Sequence, residues 1–182
     1  MEFNLALISL SAPLLTAAAP TPTLGDFEAN LAAHDSATMA LQNWCMAYRI
    51  GEPPIRAQQL SASSNDPPAK MRRLLGLEDD DVLAMRNVRL LCGAKVLSVA
   101  WNWYVPSRMT PEMNAALHET DTPFGKVAAA LKFRRETLEV VRGAADNCPA
   151  GTISTHRALL RLPDGRPLAY LLECYTGANL GQ

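Results

Sequence analysis

Two pairs of alternating segments, each joined by a tight turn, constrain the fold of this chain more than any other feature. Gly93-Ala94 separates the segments of the first pair, and the turn 163-PDGR-166 separates those of the second. Apolar residues at every second position are typical of strands, and short glycine-containing connections are typical of antiparallel hairpins. The sequence therefore predicts two long hairpins, with strands over 82–92, 95–106, 155–162 and 167–176.

Helices and shorter strands complete the predicted organisation. Residues 26–49 carry apolar side chains at helical spacing, and Asp35-Ser36 in the middle favours two short helices over one. Thr110 is expected to cap a helix that begins at Pro111 and ends near His118. Together these elements predict an α+β domain with a mostly antiparallel sheet and helices over it. The remaining expectations are a brief strand over 55–60, a mobile polar loop after it, a short helix over 69–75 and a strand over about 138–141.

The stretch 120-TDTPFGKV-127 predicts one more helix start. Thr122 suits the N-cap, and Pro123 suits the first helical position because its missing N–H is no loss there. The N–H groups of Phe124 and Gly125 would then lack an intrahelical acceptor, and such a helix end can bind an anion. The alternative is a cap that only starts a helix.

Length and charge limit the class of protein. A chain of 182 residues with 48% hydrophobic residues can bury one sizeable core, so one domain over 26–182 is expected after an apolar, proline-rich segment over 1–25. The net charge is −1, and the pairs Arg72-Arg73 and Arg134-Arg135 are interpreted as solvated faces. Because no dense basic stripe is present, nucleic-acid binding is not expected. The chain is expected to be a monomer.

The four cysteines, Cys45, Cys92, Cys148 and Cys174, show no spacing typical of a metal site. They are interpreted as small buried hydrophobic residues in a reducing compartment, and two disulfides are the alternative if the chain is exported. Residues 5–19 have the length of a signal-peptide core but lack a basic segment before them. A cytoplasmic protein is therefore favoured, with a periplasmic or secreted protein as the alternative. Pro13 and Pro20 interrupt the one candidate membrane span.

Two charged residues interrupt apolar strand faces. Arg86 shares a face with Val88 and Leu90, and Glu173 shares a face with Leu171 and Tyr175. A buried charge must be paired or must serve a ligand, and a buried carboxyl without a cation has a raised pKa, the usual condition of a general acid. The two residues form either an ion pair with each other or a shared polar cavity for an anionic ligand.

Several short motifs, in this order, resemble the chorismate pyruvate-lyase family. They are Asp35-Ser-Ala-Thr38, Arg-x-Val-x-Leu at Arg86, Tyr104-Val-Pro-Ser-Arg-Met-Thr110, Thr122-Pro-Phe-Gly125, and Asp164-Gly-Arg-Pro-Leu168 followed by Glu173. The same fold is similar to the effector-binding domain of GntR-type transcription repressors. The resemblance spans about residues 30–180. It implies a six-stranded antiparallel sheet, a buried cavity under flap helices, and cleavage of chorismate to 4-hydroxybenzoate and pyruvate without a cofactor or metal, as in ubiquinone biosynthesis.

The resemblance also implies roles for particular residues. Arg86 takes the position of a carboxylate-binding arginine, Glu173 that of the acidic residue that supplies or relays a proton, and Phe124 that of a backbone N–H contact to the product, with Gly125 beside it. Arg89 is a rival for the role of Arg86. The substrate is expected to be a small anionic carboxylate, aromatic or nearly so.

Two substrate-binding positions depart from the family. Ala37 replaces a methionine, and Asn102 replaces a second arginine, which removes a charge-assisted contact of about 1.5 to 3 kcal/mol. Arg89, His156 and Arg157 are candidates for the missing cation, although His156 is itself expected to be a hydrogen-bonded structural residue. Three hypotheses follow: a lyase, a non-catalytic binding module for aromatic carboxylates, and an exported binding protein.

Overall fold

Six antiparallel strands form one open sheet in the order β1-β2-β3-β6-β5-β4 in the computed structural model, which describes residues 21–60 and 69–182. The predicted α+β architecture is confirmed. The strands are β1 (Arg56–Gln59), β2 (Ala84–Cys92), β3 (Lys95–Tyr104), β4 (Arg134–Arg142), β5 (Thr152–Arg161) and β6 (Pro167–Thr176), and the helices are α1 (Leu24–Ala32), α2 (Ala37–Tyr48), α3 (Ala69–Leu74), α4 (Pro111–Glu119) and α5 (Phe124–Val127).

Both predicted hairpins are present. Strands β2 and β3 pair up to Cys92 opposite Lys95, and β5 and β6 pair up to Arg161 opposite Pro167. Gly165 in the second turn has φ 87°, a left-handed conformation that glycine adopts without strain. The hairpins join in the middle of the sheet, where β3 pairs with β6.

The two faces of the sheet bury different cores. Helices α1 and α2 cover one face, where Phe27, Leu41 and Tyr175 are fully buried. Helix α3 packs on the other face, against a cluster that contains Trp101 and Trp103. These tryptophans are therefore core residues, 6% and 3% exposed.

The segment 26–49 forms two helices, as predicted. Ser36 caps α2, because its hydroxyl accepts a hydrogen bond from the N–H of Met39 at 3.4 Å. Thr110 caps α4 in the same way, through the N–H of Met113 at 3.3 Å.

The helix predicted to begin at Pro123 begins one residue later, at Phe124. It is also much shorter than the apolar run after it suggests. Pro123 is the N-cap itself, with ψ 148°, and Thr122 gives no side-chain cap. Helix α5 spans four residues and continues as a 3-10 helix over Ala128–Leu131. Because the helix has about one turn, its dipole is small, and the predicted helix-terminal anion site loses that part of its support.

The cysteines differ from the expectation of free thiols. The structure pairs Cys45 with Cys92, which joins α2 to β2, and Cys148 with Cys174, which joins the loop before β5 to β6. Residues 5–19, which would form a signal peptide under the export alternative, and most of the predicted mobile loop lie outside the described residues. None of the helices within 21–60 and 69–182 has the length and apolar character needed to cross a bilayer.

Candidate functional site

A cavity lies between the sheet and the N-terminal end of α2, with α5 beside it. Strands β2, β3, β6 and β5 give it an apolar floor that includes Val88, Ala100 and Leu171. The space between the lining side chains is about 410 Å³, part of it open to solvent. The enclosed part is narrow and suits single water molecules better than an aromatic ring, so a ring-sized ligand requires the helical cover to shift.

The cavity brings together five of the six residues predicted for the site. Its lining includes Ala37, Asn102, Phe124, Gly125 and Glu173, which come from α2, β3, α5 and β6. Arg86 does not line this cavity. Residues that are far apart in the sequence thus meet at one place, although their chemical roles differ from the prediction in two respects.

The first difference concerns Glu173, which pairs with Arg135 rather than with Arg86. The Arg135 guanidinium donates to both carboxylate oxygens, with Nη1 to Oε1 at 3.2 Å. The Tyr175 hydroxyl donates to Oε2 at 2.9 Å. Both charged side chains are 6% exposed, so this is a buried, two-point ion pair in the cavity wall. The alternative of an Arg86–Glu173 ion pair is therefore wrong.

This ion pair also corrects the predicted protonation of Glu173. Burial by itself raises the pKa of the carboxyl, but the charge and hydrogen bonds of Arg135 outweigh burial and hold that pKa below its ordinary value. For Arg135 the directions are opposite: burial by itself lowers the pKa of the guanidinium, and the Glu173 carboxylate more than offsets this and raises it. Glu173 is consequently a carboxylate at neutral pH, whereas a general acid requires the protonated form.

The second difference concerns Arg86, which is buried as predicted but hydrogen-bonds to the loop before α5 instead of facing the cavity. Its guanidinium donates to the carbonyl oxygens of Thr122 at 2.9 Å and Thr120 at 3.0 Å. These carbonyls belong to the segment that leads into Pro123 and α5. Arg86 thereby fixes the approach to the cavity cover, and its role is that of a positioning residue.

Arg135 is the residue that the sequence prediction missed. It was grouped with Arg134 as a solvated pair, but the side chain of Arg134 is 83% exposed whereas that of Arg135 is 6% exposed. Strand β4 begins at Arg134 and not near Leu138, and a bulge between Thr137 and Glu139 interrupts its alternation. Simple alternation from Leu138 and Val140 would therefore not have placed Arg135 on the inner face.

The other suggested replacements for the missing cation do not reach the cavity. Arg89 is exposed on the opposite face of β2, and Arg157 pairs with Glu139 across β4 and β5. His156 is 5% exposed and shares a hydrogen bond with the Ser154 hydroxyl at 3.0 Å, as expected for a structural histidine.

Two polar side chains in the cavity remain available to a ligand. Asn102 is 6% exposed and Thr38 is 8% exposed. Within the described part of the chain, neither the Asn102 carboxamide nor the Thr38 hydroxyl makes a side-chain hydrogen bond, and both residues line the cavity. Buried polar groups are normally satisfied, so these two are suited to a bound molecule or water.

Gly125 lets α5 approach α2 closely. A Cβ atom at this position would lie 2.4 Å from the Ser36 hydroxyl oxygen and 2.9 Å from that of Thr38. Such distances are too short for any side chain, so the glycine is needed for contact rather than for its backbone angle. The absence of a side chain lets the Ser36 and Thr38 hydroxyls pack against the α5 backbone.

Comparison with solved structures defines the fold class. The effector domain of PhnF from Mycobacterium smegmatis is similar to this chain, with a TM-score of 0.57 and 12% identity over 79% of this chain and 89% of that one. The PhnF chain gives 0.59 and 11% identity over 81% and 66%. The ligand-binding domain of a GntR-family regulator from Bordetella bronchiseptica gives 0.51 and 14% over 66% and 85%. At these identities the likeness shows the fold alone.

The resemblance to GntR-type effector domains is thus confirmed for the fold, while membership of the chorismate pyruvate-lyase family stays a prediction. This chain spans 66% of the PhnF chain, slightly less than two thirds of its length.

Sequence comparison defines the family. The uncharacterized protein y4mC of Sinorhizobium fredii (strain NBRC 101917 / NGR234) is 34% identical over 173 residues, which cover 84% of this chain and 73% of that protein. The chain belongs to the same family as this protein. No established family model matches the chain.

Proposed function

We propose that this chain is a binding domain for a small carboxylate, with aromatic carboxylates as the first class to test. The observation that carries the proposal is the cavity lined by Asn102 and Thr38, two largely buried residues whose side chains make no hydrogen bond within residues 21–60 and 69–182. The similarity in fold to effector and ligand-binding domains supports it.

The proposed ligand carboxylate accepts hydrogen bonds from three groups. Asn102 offers two N–H donors and Thr38 one O–H donor. Arg135 has five N–H donors, of which Glu173 engages two in the ion pair. Because Arg135 and Glu173 neutralise each other, the pair supplies hydrogen-bond donors to the ligand without adding net charge to the cavity.

Titration of the full-length protein with benzoate and 4-hydroxybenzoate tests the proposal. Asn102→Ala is expected to weaken binding at least tenfold while the protein stays folded, since the carboxamide makes no internal hydrogen bond in the described structure. Asn87→Ala is the contrasting variant, because the Asn87 amide donates to the Ala100 carbonyl at 3.0 Å. It is expected to lower stability. Absence of binding by every carboxylate tried would refute the proposal.

Cleavage of chorismate is the second candidate, favoured because five predicted positions share one cavity. The ion-paired Glu173 argues against it, since the carboxylate has no proton to give at neutral pH. Incubation of micromolar protein with chorismate, followed by assays for 4-hydroxybenzoate and pyruvate, separates the two candidates. Binding without turnover supports the binding domain, and steady turnover supports the lyase.

The two disulfides favour maturation in an oxidising compartment over the cytoplasmic expectation, since disulfides persist outside reducing cytosol. We infer that the exported alternative suits this chain better. The mass of the mature N-terminus and the number of free thiols in protein from its natural host test this inference.

A further inference from the structure

A second cavity lies between helix α1 and strands β4 and β5, and Arg135 lines both this cavity and the first. The other residues that line it are Glu28, Leu31, Ala32, Thr137, Val140 and His156. The space between its lining atoms is about 480 Å³, part of it open to solvent, and it leaves more room for a small molecule than the first cavity does. Small-molecule sites span about 300 to 1,000 Å³, so a ligand with one ring fits here.

A chain of hydrogen bonds connects Glu28 to His156 beneath this cavity. The hydroxyl oxygen of the fully buried Ser154 lies 3.2 Å from Glu28 Oε1 and 3.0 Å from His156 Nε2. Glu28 is a carboxylate, because its hydrogen bonds with Arg142, at 2.8 Å from Nη2, hold the pKa of the carboxyl below its ordinary value. A carboxylate only accepts, so the single Ser154 hydroxyl proton goes to Glu28. The hydrogen bond between Ser154 and His156 therefore uses a proton on Nε2.

This chain fixes the tautomer of His156. Burial lowers the pKa of the imidazole below the ordinary 6.5, so the ring is neutral at neutral pH and carries one proton. With that proton on Nε2, the other nitrogen, Nδ1, is a hydrogen-bond acceptor. Nδ1 makes no hydrogen bond within residues 21–60 and 69–182, and protein atoms do not fully enclose it. His156, which is 5% exposed, thus brings an unused acceptor to the cavity.

The charges around the second cavity are balanced. Glu28 pairs with Arg142, and Arg135 pairs with Glu173, so neither lining charge is left to attract an ion. Arg135 has three N–H donors beyond the two that Glu173 engages, and the Thr137 hydroxyl makes no side-chain hydrogen bond in the described ranges. The remaining lining residues are apolar. The cavity therefore combines an acceptor, several donors and an apolar wall without net charge.

We propose that the second cavity binds a small neutral amide with an apolar body, independently of the site proposed for a carboxylate. The amide N–H donates to His156 Nδ1, and the amide carbonyl accepts from the donors of Arg135 or Thr137. The apolar body lies against Leu31 and Val140. An amide carries a donor and an acceptor side by side without charge. A carboxylate has no donor for Nδ1, and an ammonium group has no acceptor for the donors.

Nuclear magnetic resonance of the ¹⁵N-labelled full-length protein tests the tautomer directly. Long-range ¹H–¹⁵N spectra at neutral pH distinguish a protonated ring nitrogen from a bare one, and the His156 signals are assigned by their loss in His156→Gln. The expected result is a proton on Nε2 and a bare Nδ1. Addition of benzamide is expected to shift the Nδ1 signal, because that nitrogen then accepts a hydrogen bond.

Titration with benzamide, benzoate and benzylamine tests the ligand class, since the three compounds share one ring and differ in charge. His156→Gln keeps a donor for Ser154 but lacks the Nδ1 acceptor, and it is expected to weaken benzamide binding roughly tenfold. Benzylamine is expected to bind the wild type about fivefold or more weakly than benzamide. Val140→Ser is expected to cost roughly threefold in benzamide affinity. Leu138→Ser is the matched control, because Leu138 lies on the same strand, is 39% exposed and does not line this cavity.

The contrary outcomes are distinct. A proton on Nδ1 in the unliganded protein would remove the acceptor and overturn the inference. Benzamide binding that survives His156→Gln, or that Val140→Ser and Leu138→Ser weaken alike, would place the amide elsewhere and overturn it too. If benzamide fails to bind and benzoate binds with dependence on Asn102, the amide site is wrong and the carboxylate site stands. If benzoate fails and benzamide binds with dependence on His156, the amide site alone stands.

Discussion

Arg135 and Glu173 form a buried ion pair that connects the edge strand β4 to the central strand β6 across β5. Both side chains are 6% exposed, and the Tyr175 hydroxyl satisfies a further lone pair of the carboxylate. The pair gives the cavity wall a fixed polar geometry. It also means that the two charges depend on each other for their burial.

Removal of one member of this pair should destabilise the fold strongly. Glu173→Leu leaves the Arg135 guanidinium buried without its counter-ion and is expected to lower the free energy of unfolding by about 3 to 5 kcal/mol. The double variant Arg135→Met, Glu173→Leu is expected to recover most of that loss. Urea denaturation measures both. Arg161→Gln, at the more exposed pair with Glu136, should cost at most about 1 kcal/mol. A double variant as unstable as the single one would contradict a purely pairwise role.

Arg86 should matter for the loop before α5 more than for direct ligand contact. Arg86→Met removes charge-assisted hydrogen bonds to the Thr120 and Thr122 carbonyls and is expected to cost about 2 to 4 kcal/mol. Hydrogen exchange should increase over 120–127. Arg89→Met on the same strand is the control, since Arg89 is exposed, and should leave stability within about 0.5 kcal/mol. A stable Arg86→Met protein that had merely lost carboxylate binding would instead restore the predicted ligand role.

The contact between α2 and α5 should tolerate no side chain at position 125. Gly125→Ala places a methyl group 2.4 Å from the Ser36 hydroxyl oxygen, so the Ser36 cap of α2 must move. The expected cost is about 1 to 3 kcal/mol. Gly25→Ala within α1 is the matched control: its Cβ would meet no atom closer than 4.0 Å, and helix propensity predicts a gain of about 0.5 to 1 kcal/mol. Thermal or urea unfolding of the two variants gives the comparison.

His156 should make stability depend on pH between neutral and mildly acidic conditions. Burial lowers the pKa of its imidazole below the ordinary 6.5, and the Arg135 charge acts in the same direction while Glu173 and Glu28 oppose it. The unfolded chain then binds more protons than the folded one, so stability falls as the pH drops below about 6.5 toward the folded-state pKa. His156→Gln should flatten the dependence of unfolding free energy between pH 7.5 and 5.5. An unchanged slope in the variant would assign the effect to another group.

Strand alternation was sufficient to place most of the sheet and part of the site. The two hairpins follow from period-two segments and their turns, and the inward positions of Arg86 and Glu173 follow from the same alternation. The partner of each charge could not be predicted, because Arg135 reaches Glu173 through a strand whose start was placed four residues late. Helix α5 was overestimated because an apolar alanine run fits a 3-10 helix as well as an α-helix.

The two disulfides should contribute a large share of the stability of the fold. Cys45–Cys92 and Cys148–Cys174 close segments of 47 and 26 residues, and cross-links of this span stabilise a fold by about 3 to 4 kcal/mol each in the chain-entropy model. Intact protein should resist alkylation when unfolded without reductant. Cys45→Ala with Cys92→Ala should lower the melting temperature, and the wild type treated with reductant should show a loss at least as large. The contrary result has two parts: four thiols are alkylated in the unreduced protein, and the unreduced and reduced forms melt at the same temperature. It would show that the cysteines are free, which is the interpretation that the sequence favours.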